Sequence, residues 1–496
     1  MSSVKKNLVE NYYTMLGLLR SASQDEIRQA YLRAAKRLHP DTNTKPGETE
    51  MFLDVQSVYQ VLSDPMRRAS YDLSLPKEED VLSVIEQRIL ISRQELSSQK
   101  EKQLVYMLLD LSLAESYKQI SSSAPLNICM VLDCSTSMKN EKLDMVKATA
   151  IQLIRKLKPK DIFSVVTFND RAEVIIPATR QANTLKMENR LQLLQTSGGT
   201  EMLSGLKAGL EEVRRYQSPT CINHIILLTD GRTYGDESDC YALAKDAAQS
   251  GIGISGLGIG NSWNDAFLDE LARLTGGHSI LVSQPSDLEP ILTEKFTNLS
   301  NTFAEKVTFE FSLGEGVEIG YAFRIQPETN PLLQANPLPL GPILINSTLS
   351  ILIEFIIHPQ ENDIRNVTLL DGRLDISASA LENPLPPKPI RITLPVKENT
   401  TPDPPPAPLV QALSRLTLYR MQERARSEVA AGNYENAALH LQKLATHLLA
   451  QGERGLAKTV LFEIENIEKE KAFTEVGEKQ IKYGTRALVL FKEKKL

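Results

Sequence analysis

Asp133-Cys134-Ser135-Thr136-Ser137 sets one carboxylate and two hydroxyls at alternate positions directly after the apolar run Ile128–Leu132. That D-x-S-x-S spacing puts three oxygen ligands at the carboxyl end of a buried strand, where open α/β sheets hold their ligands. Two later segments reach the same edge by the expected topology. Gly198-Gly199-Thr200 brings a hydroxyl on a turn, and Thr229-Asp230-Gly231 brings a carboxylate after the apolar run that ends at Leu228. Asp133, Ser135, Ser137, Thr200 and Asp230 are all oxygen donors, the chemistry preferred by Mg2+, or another hard divalent cation, in an octahedral shell at about 2.0–2.1 Å. Two carboxylates so close repel each other without a cation. With so few negative charges around it, a bound ion keeps net positive charge and an open position.

His39-Pro40-Asp41 is the second constellation, and its meaning comes from what flanks it. Ser23-Gln24-Asp25-Glu26 is a capping box that starts a helix. From there Ile27, Ala30, Tyr31, Ala34 and Leu38 recur at three- and four-residue spacing as one apolar stripe. Arg28, Arg33, Lys36 and Arg37 fall mostly outside it and form a basic face. Pro40 cannot continue the helix, so His39 and Asp41 are expected in a loop. A second amphipathic helix, with Phe52, Val55, Tyr59 and Leu62 inward, stops at Ser63-Asp64-Pro65, where Asp64 can cap a short last helix.

Other elements divide the chain. At 496 residues it should form about three or four domains. Residues 1–72 form the all-α unit just described, and 73–87 read as a linker. Residues 88–123 read as two strands, with Val105, Met107, Leu109, Leu111 and Leu113 on one face. Residues 124–299 alternate strand and helix; continuous apolar strands such as Ile225-Ile226-Leu227-Leu228 predict a parallel sheet between helix layers. Residues 300–396 return to strands, including one long run over Ile343–Ile357, and the orphan strands at 88–113 are expected to pair with them. The doubly wound α/β domain would then be an insertion in a β-sandwich. Residues 397–409 are proline-rich and read as a stiff spacer, and 410–496 read as helical.

The first unit resembles the J domain of DnaJ-type co-chaperones, on Tyr12-Tyr13, Leu16-Gly17, Tyr31, His39-Pro40-Asp41, Val61-Leu62-Ser63-Asp64-Pro65 and Arg67-Arg68-Ala69-Ser70-Tyr71-Asp72. The resemblance implies binding to a DnaK-class chaperone and stimulation of its ATP hydrolysis. Arg28, Arg33, Lys36 and Arg37 would steer toward an acidic groove, with His39, Pro40 and Asp41 acting on the ATPase. Leu32 stands where J domains commonly carry a basic residue. The five oxygen donors resemble the metal-ion-dependent adhesion site of von Willebrand factor A domains. By that resemblance Ser135 and Ser137 ligate directly, Thr200 directly or through water, and Asp133 and Asp230 often through water. An acidic residue of a protein partner or client then takes the open position. The strands around the A domain, together with Lys479–Arg486, resemble inter-alpha-trypsin-inhibitor heavy-chain-like proteins and their bacterial relatives. Ala430–Ala437 resembles the turn inside a tetratricopeptide repeat, although a repeat array needs about three units.

Composition excludes several functions. A net charge of −6 argues against a general nucleic-acid binder. No stretch reads as a membrane span; Leu349–Ile357 is short and interrupted by Glu354. Met1–Val9 has no secretory-signal core, and the four cysteines show neither C-x-x-C spacing nor disulfide density, so a cytoplasmic address is expected. Gly251–Gly256 fits G-x-G-x-x-G, but its glycines run into a strand instead of turning from a strand into a helix, so sheet packing explains them better. His440 and His447 are too far apart for a helical zinc pair. No catalytic centre is recognisable, and the expected function is that of a non-enzymatic co-chaperone or adaptor. The alternative is a scaffold subunit of a metal-insertion or remodelling ATPase complex.

Overall fold

The computed structural model describes residues 12–16, 18, 22–38, 48–74, 84–98, 101–118, 124–180, 183–233, 235–332, 335–359, 365–378, 381, 385–397 and 404–489. The first helices are α1 (Tyr12–Met15), α2 (Gln24–Leu38), α3 (Glu48–Leu62) and α4 (Pro65–Ser74). The capping box forms as its residues require. The Ser23 N–H donates to Glu26 Oε2 at 2.6 Å, and the Glu26 N–H donates to Ser23 Oγ at 3.2 Å. The Ser23 N–H, and the Ser23 hydroxyl beside it, hold the Glu26 carboxyl below its ordinary value. Asp64 caps α4 by accepting the N–H groups of Met66 and Arg67 at 2.8 and 3.2 Å. Tyr13, Ile27, Ala30, Val58 and Leu62 make the core. Arg68 and Asp72 lock α4 onto α1: Arg68 Nε donates to the Tyr13 hydroxyl at 2.8 Å, which donates to Asp72 at 2.7 Å.

A sandwich follows and is interrupted. β1 (Ile85–Ile91), β2 (Leu96–Ser97), β3 (Gln103–Leu113) and the short α5 (Glu115–Lys118) precede the insertion. The inserted unit runs β4 (Leu126–Asp133), α6 (Glu141–Lys156), β5 (Ile162–Phe168), β6 (Ala172–Arg180), α7 (Thr184–Gln192) and α8 (Met202–Arg214). It continues through β7 (Ile222–Thr229), α9 (Glu237–Gln249), β8 (Ile252–Ile259), α10 (Asp265–Thr275), β9 (Ser279–Val282) and α11 (Leu288–Ser300). The sandwich resumes with β10 (Thr302–Leu313), β11 (Val317–Gln326), β12 (Asn330–Pro331), β13 (Leu338–Leu344), β14 (Leu349–Ile357), β15 (Asn366–Ser377) and β16 (Lys388–Lys397). Its sheets are ordered β1-β3-β14-β11-β12 and β13-β10-β15-β16-β2. Pairing of Leu111 with Leu349, and onward along β3 and β14, joins strands on either side of the insertion.

Two expectations need correction. The run Ile343–Ile357 is not one strand: it breaks after Leu344, and β13 and β14 enter opposite sheets. Both halves are buried, so hydrophobicity alone did not mark the break; the polar Asn346-Ser347 pair does. The inserted sheet, ordered β6-β5-β4-β7-β8-β9, is also not wholly parallel, because the edge strand β6 runs antiparallel to β5. Only three residues separate those strands, enough for a hairpin and too few for a parallel crossover.

Helices cover both faces of that sheet. α8 approaches it closely, because a Cβ at Gly205 would meet the Phe168 ring at 2.7 Å and one at Gly209 would meet Val131 at 2.5 Å. The chain ends in α12 (Ala407–Ala430), α13 (Tyr434–Ala450), α14 (Arg454–Glu470) and α15 (Glu475–Val489), with Pro408 in the first turn of α12. Ala431-Gly432-Asn433 is the turn between α12 and α13. β3 alternates imperfectly, with Leu104, Tyr106 and Leu108 on the face opposite Val105, Met107 and Leu109. Its second face is also covered, with Leu108 packed against Leu409, Ala412, Leu416 and Tyr419.

Candidate metal centre and docking helix

β4 and β7 are adjacent and parallel, with Leu132 beside Leu228, so Asp133 and Asp230 leave the sheet at one edge. Asp133 is fully buried and its carboxylate is fixed from two sides. Oδ1 accepts the Ser135 N–H at 2.8 Å, and Oδ2 accepts the Thr229 hydroxyl at 2.6 Å. Ser135 Oγ lies 2.9 Å from Ser137 Oγ, and the Ser137 hydroxyl donates to Asp230 Oδ1 at 2.6 Å. Thr200 arrives on a loop tied to the same place. The Ser197 N–H donates to the Cys134 carbonyl at 2.8 Å, and the Thr136 N–H donates to the Gly198 carbonyl at 3.2 Å. A Cβ on Gly231 would stand 3.1 Å from Thr200 Oγ1 and 3.7 Å from Asp133 Oδ2, so only glycine leaves these oxygens undisturbed. The structure thus brings Asp133, Ser135, Ser137, Thr200 and Asp230 to one edge, with both carboxylates buried below an exposed Ser137.

Burial raises the Asp133 carboxyl above its ordinary value. Its hydrogen bonds to Ser135 and Thr229 oppose that shift, and the charge of Asp230 adds to it. Two carboxylates thus share one buried edge. One cation is built in: the Lys142 ammonium, from the first turn of α6, contacts Asp230 Oδ2. The surrounding hydroxyls and carboxylates are hard oxygen donors, the chemistry that suits a divalent ion such as Mg2+. Cys134 is buried and its thiol is pushed up to about 12 by burial and by Asp133, so it is no thiolate ligand. Among the described residues, no group of three or more His, Cys, Asp or Glu is placed to hold an ion.

Sequence reasoning missed three contributors. Thr229 was visible only as the neighbour of Asp230, yet it orients Asp133. Lys142 has no motif. Asp170 accepts the Gly199 N–H at 2.7 Å and shapes the turn before Thr200; nothing in its local sequence marks it.

On α2, Arg28 and Arg33 are exposed, and Leu32 between them is 55% exposed. Lys36 and Arg37 belong to α2, but their side chains lie outside the described residues, as do His39, Pro40 and Asp41 altogether.

Residues 11–72 match the DnaJ domain family and residues 127–294 match the von Willebrand factor type A domain family. The chain joins a J domain to an A domain. Its residues 407–490 match the Sll0103-like C-terminal alpha-helical domain. The uncharacterized protein sll0103 of Synechocystis sp. is 28% identical over 333 residues, 65% of this chain and 78% of that protein. Chaperone protein DnaJ of Dictyoglomus thermophilum is 49% identical over 63 residues, which are 13% of this chain and 16% of that chaperone. The likeness to DnaJ is confined to the J domain. Among solved structures, a von Willebrand factor type A protein from Catenulispora acidiphila superposes with a TM-score of 0.64 at 16% identity, over 81% of this chain and 96% of that one. The ArnB paralog VWA2 from Sulfolobus acidocaldarius does so at 0.51 and 18%, over 82% and 100%. At such identities the likeness concerns the fold. J and A domains are interaction modules, so the chain has the make-up of a DnaJ-like co-chaperone with a second, partner-binding domain. Among the described residues no helix is long and apolar enough to cross a membrane.

Proposed function

We propose that this protein recruits a DnaK-class chaperone through its J domain, and stimulates its ATP hydrolysis, at a partner held by the A domain through a metal-bridged contact. The observation that carries the reading is the convergence of five oxygen donors on one sheet edge of a chain that also holds a J domain. Ser135, Ser137 and Thr200, with Asp133 and Asp230 behind them, would hold Mg2+. The ion, when bound, supplies a Lewis-acidic position for an Asp or Glu of the partner. Thr229 and the Ser135 N–H fix the Asp133 carboxylate, so that group is already placed before an ion loads. Joining the two modules raises the local concentration of chaperone at the bound partner.

The test is steady-state ATP turnover of a DnaK-class chaperone with the full chain added. Wild type should raise turnover severalfold, and His39→Gln should return it to the basal rate. Arg33→Glu should slow association and reduce its salt dependence, since exposed charges act mainly on the encounter. Basal turnover with wild type would reject the stimulation and favour a docking scaffold.

Lys142 yields a separate prediction. Its ammonium competes with a divalent ion for Asp230, so Lys142→Met should tighten Mg2+ binding by about fivefold, the scale of a partly exposed ion pair. Calorimetric titration of chelator-treated protein measures this, and unchanged affinity would mean that Lys142 swings aside at no cost.

A further inference from the structure

Beside the metal edge, a groove of about 540 Å3 opens between the edge strand β6 and the segment that follows α7. Cys134 and Ser197 form its inner wall, and both belong to the loops that present the five oxygens. Its apolar rim is exposed: Leu193 at 78% and Val174 at 40%. These two side chains make a small apolar spot at the mouth of a groove that is otherwise lined mainly by polar groups. Arg171 and Arg190 line the groove together with one acidic residue, Glu173, while the Asp170 carboxylate is held against the Gly199 N–H in the neighbouring turn. Arg190 is held in place by donating to the Ile175 carbonyl at 2.9 Å.

We infer that this groove seats an aliphatic side chain of the same acidic partner segment whose carboxylate meets the ion, an assignment that rests on the metal-bridged reading above. The occupant is an extended segment of a partner protein with two features: an Asp or Glu at the metal and one large aliphatic residue within a few positions of it. Further acidic residues would face Arg171 and Arg190. The charge sets this choice, since an ion and two arginines favour an acidic segment over a basic or purely apolar one. Continuity does too, because Cys134 lies between Asp133 and Ser135 in the chain and so joins the groove wall to the metal loop.

The experiment is selection from a random dodecapeptide library with one fixed central Asp, displayed to the full chain in Mg2+ and again in chelator. Wild type should enrich, only with Mg2+, peptides sharing a Leu, Ile, Val or Phe at one fixed offset from the Asp. Leu193→Ser, a change at an exposed position, should erase that offset preference and weaken the best peptide by about tenfold, the scale of one buried aliphatic side chain. Val174→Asp should do the same. Arg190→Glu should deplete acidic flanks. A Mg2+-dependent, acid-only consensus, unmoved by Leu193→Ser, would overturn the groove assignment and leave the metal-bridged reading standing. No Mg2+-dependent enrichment in wild type would overturn both. Mg2+-dependent self-association abolished by Leu193→Ser would give the groove to a second copy of the chain and overturn the partner assignment.

Discussion

Asp133→Ala should abolish the heat of Mg2+ titration while leaving the ion-free protein about as stable as wild type. Two opposing effects set the second half of that expectation. The substitution removes two hydrogen bonds, from the Ser135 N–H and the Thr229 hydroxyl, and leaves a buried hydroxyl without its acceptor. That costs about 1–3 kcal/mol. It also removes a buried carboxylate whose ionisation is disfavoured by burial and by the charge of Asp230, which offsets much of the loss. The first half follows from charge: with Asp133 gone, only Asp230 remains, and Lys142 already neutralises it. In wild type, Mg2+ at a hundredfold excess over its Kd should stabilise the native state by about 2.7 kcal/mol. That raises the melting temperature of a domain of this size by roughly 5–10 °C. Asp133→Ala should show no such shift. Thr200→Ala, which removes a neutral ligand, should retain part of it and still weaken partner binding. Equal heats in wild type and Asp133→Ala would mean that the five residues are inherited strand-end structure and hold no ion.

What made this edge legible was local. Asp133, Ser135 and Ser137 lie within five residues after a fully apolar run, and a carboxylate follows the next such run, so spacing and topology sufficed. Ser23, Glu26 and Asp64 likewise act on backbone groups two or three residues away, and their caps form as spacing predicts. Illegible features depend on distant partners. The contact of Lys142 with Asp230 spans 88 positions and depends on where α6 begins relative to β7. Nothing in the local sequence marks Leu193 and Val174 as positions left uncovered. The split of Ile343–Ile357 was hidden for another reason: both pieces feed one sandwich core from opposite sheets, so hydrophobicity continues where the strand does not.

The docking of α15 was the least legible of all, and Lys482 should show how much depends on it. Its ammonium is almost wholly buried between Asp265 and Asp269 of α10, at 2.5 and 2.6 Å. Arg486 reaches Asp269 at 3.2 Å, and Tyr483 packs on Trp263 with ring centroids 5.7 Å apart. Burial alone would push the Asp269 carboxyl up, but the charges of Arg486 and Lys482 hold it well below the usual carboxylate range. Lys482→Met should leave two carboxylates facing each other under the helix and cost about 3–5 kcal/mol, as breaking a buried pair does. By contrast, Arg232→Ala removes a half-exposed contact with Glu475 on the same helix and should cost less than about 1 kcal/mol. Because Asp269 titrates low when folded, its contribution is fully present above the ordinary aspartate value of about 4 and is lost as the pH falls toward the folded value. Lys482→Met should therefore flatten the acid limb of stability as well as lower it. Hydrogen exchange should locate the loss in α15 and α10, while Mg2+ affinity stays at its wild-type value, since neither carboxylate belongs to the five-oxygen edge. Unchanged protection of α15 would show that Leu108, Phe323 and the other apolar contacts of α12 and Val489 hold the helical domain in place without the charge cluster.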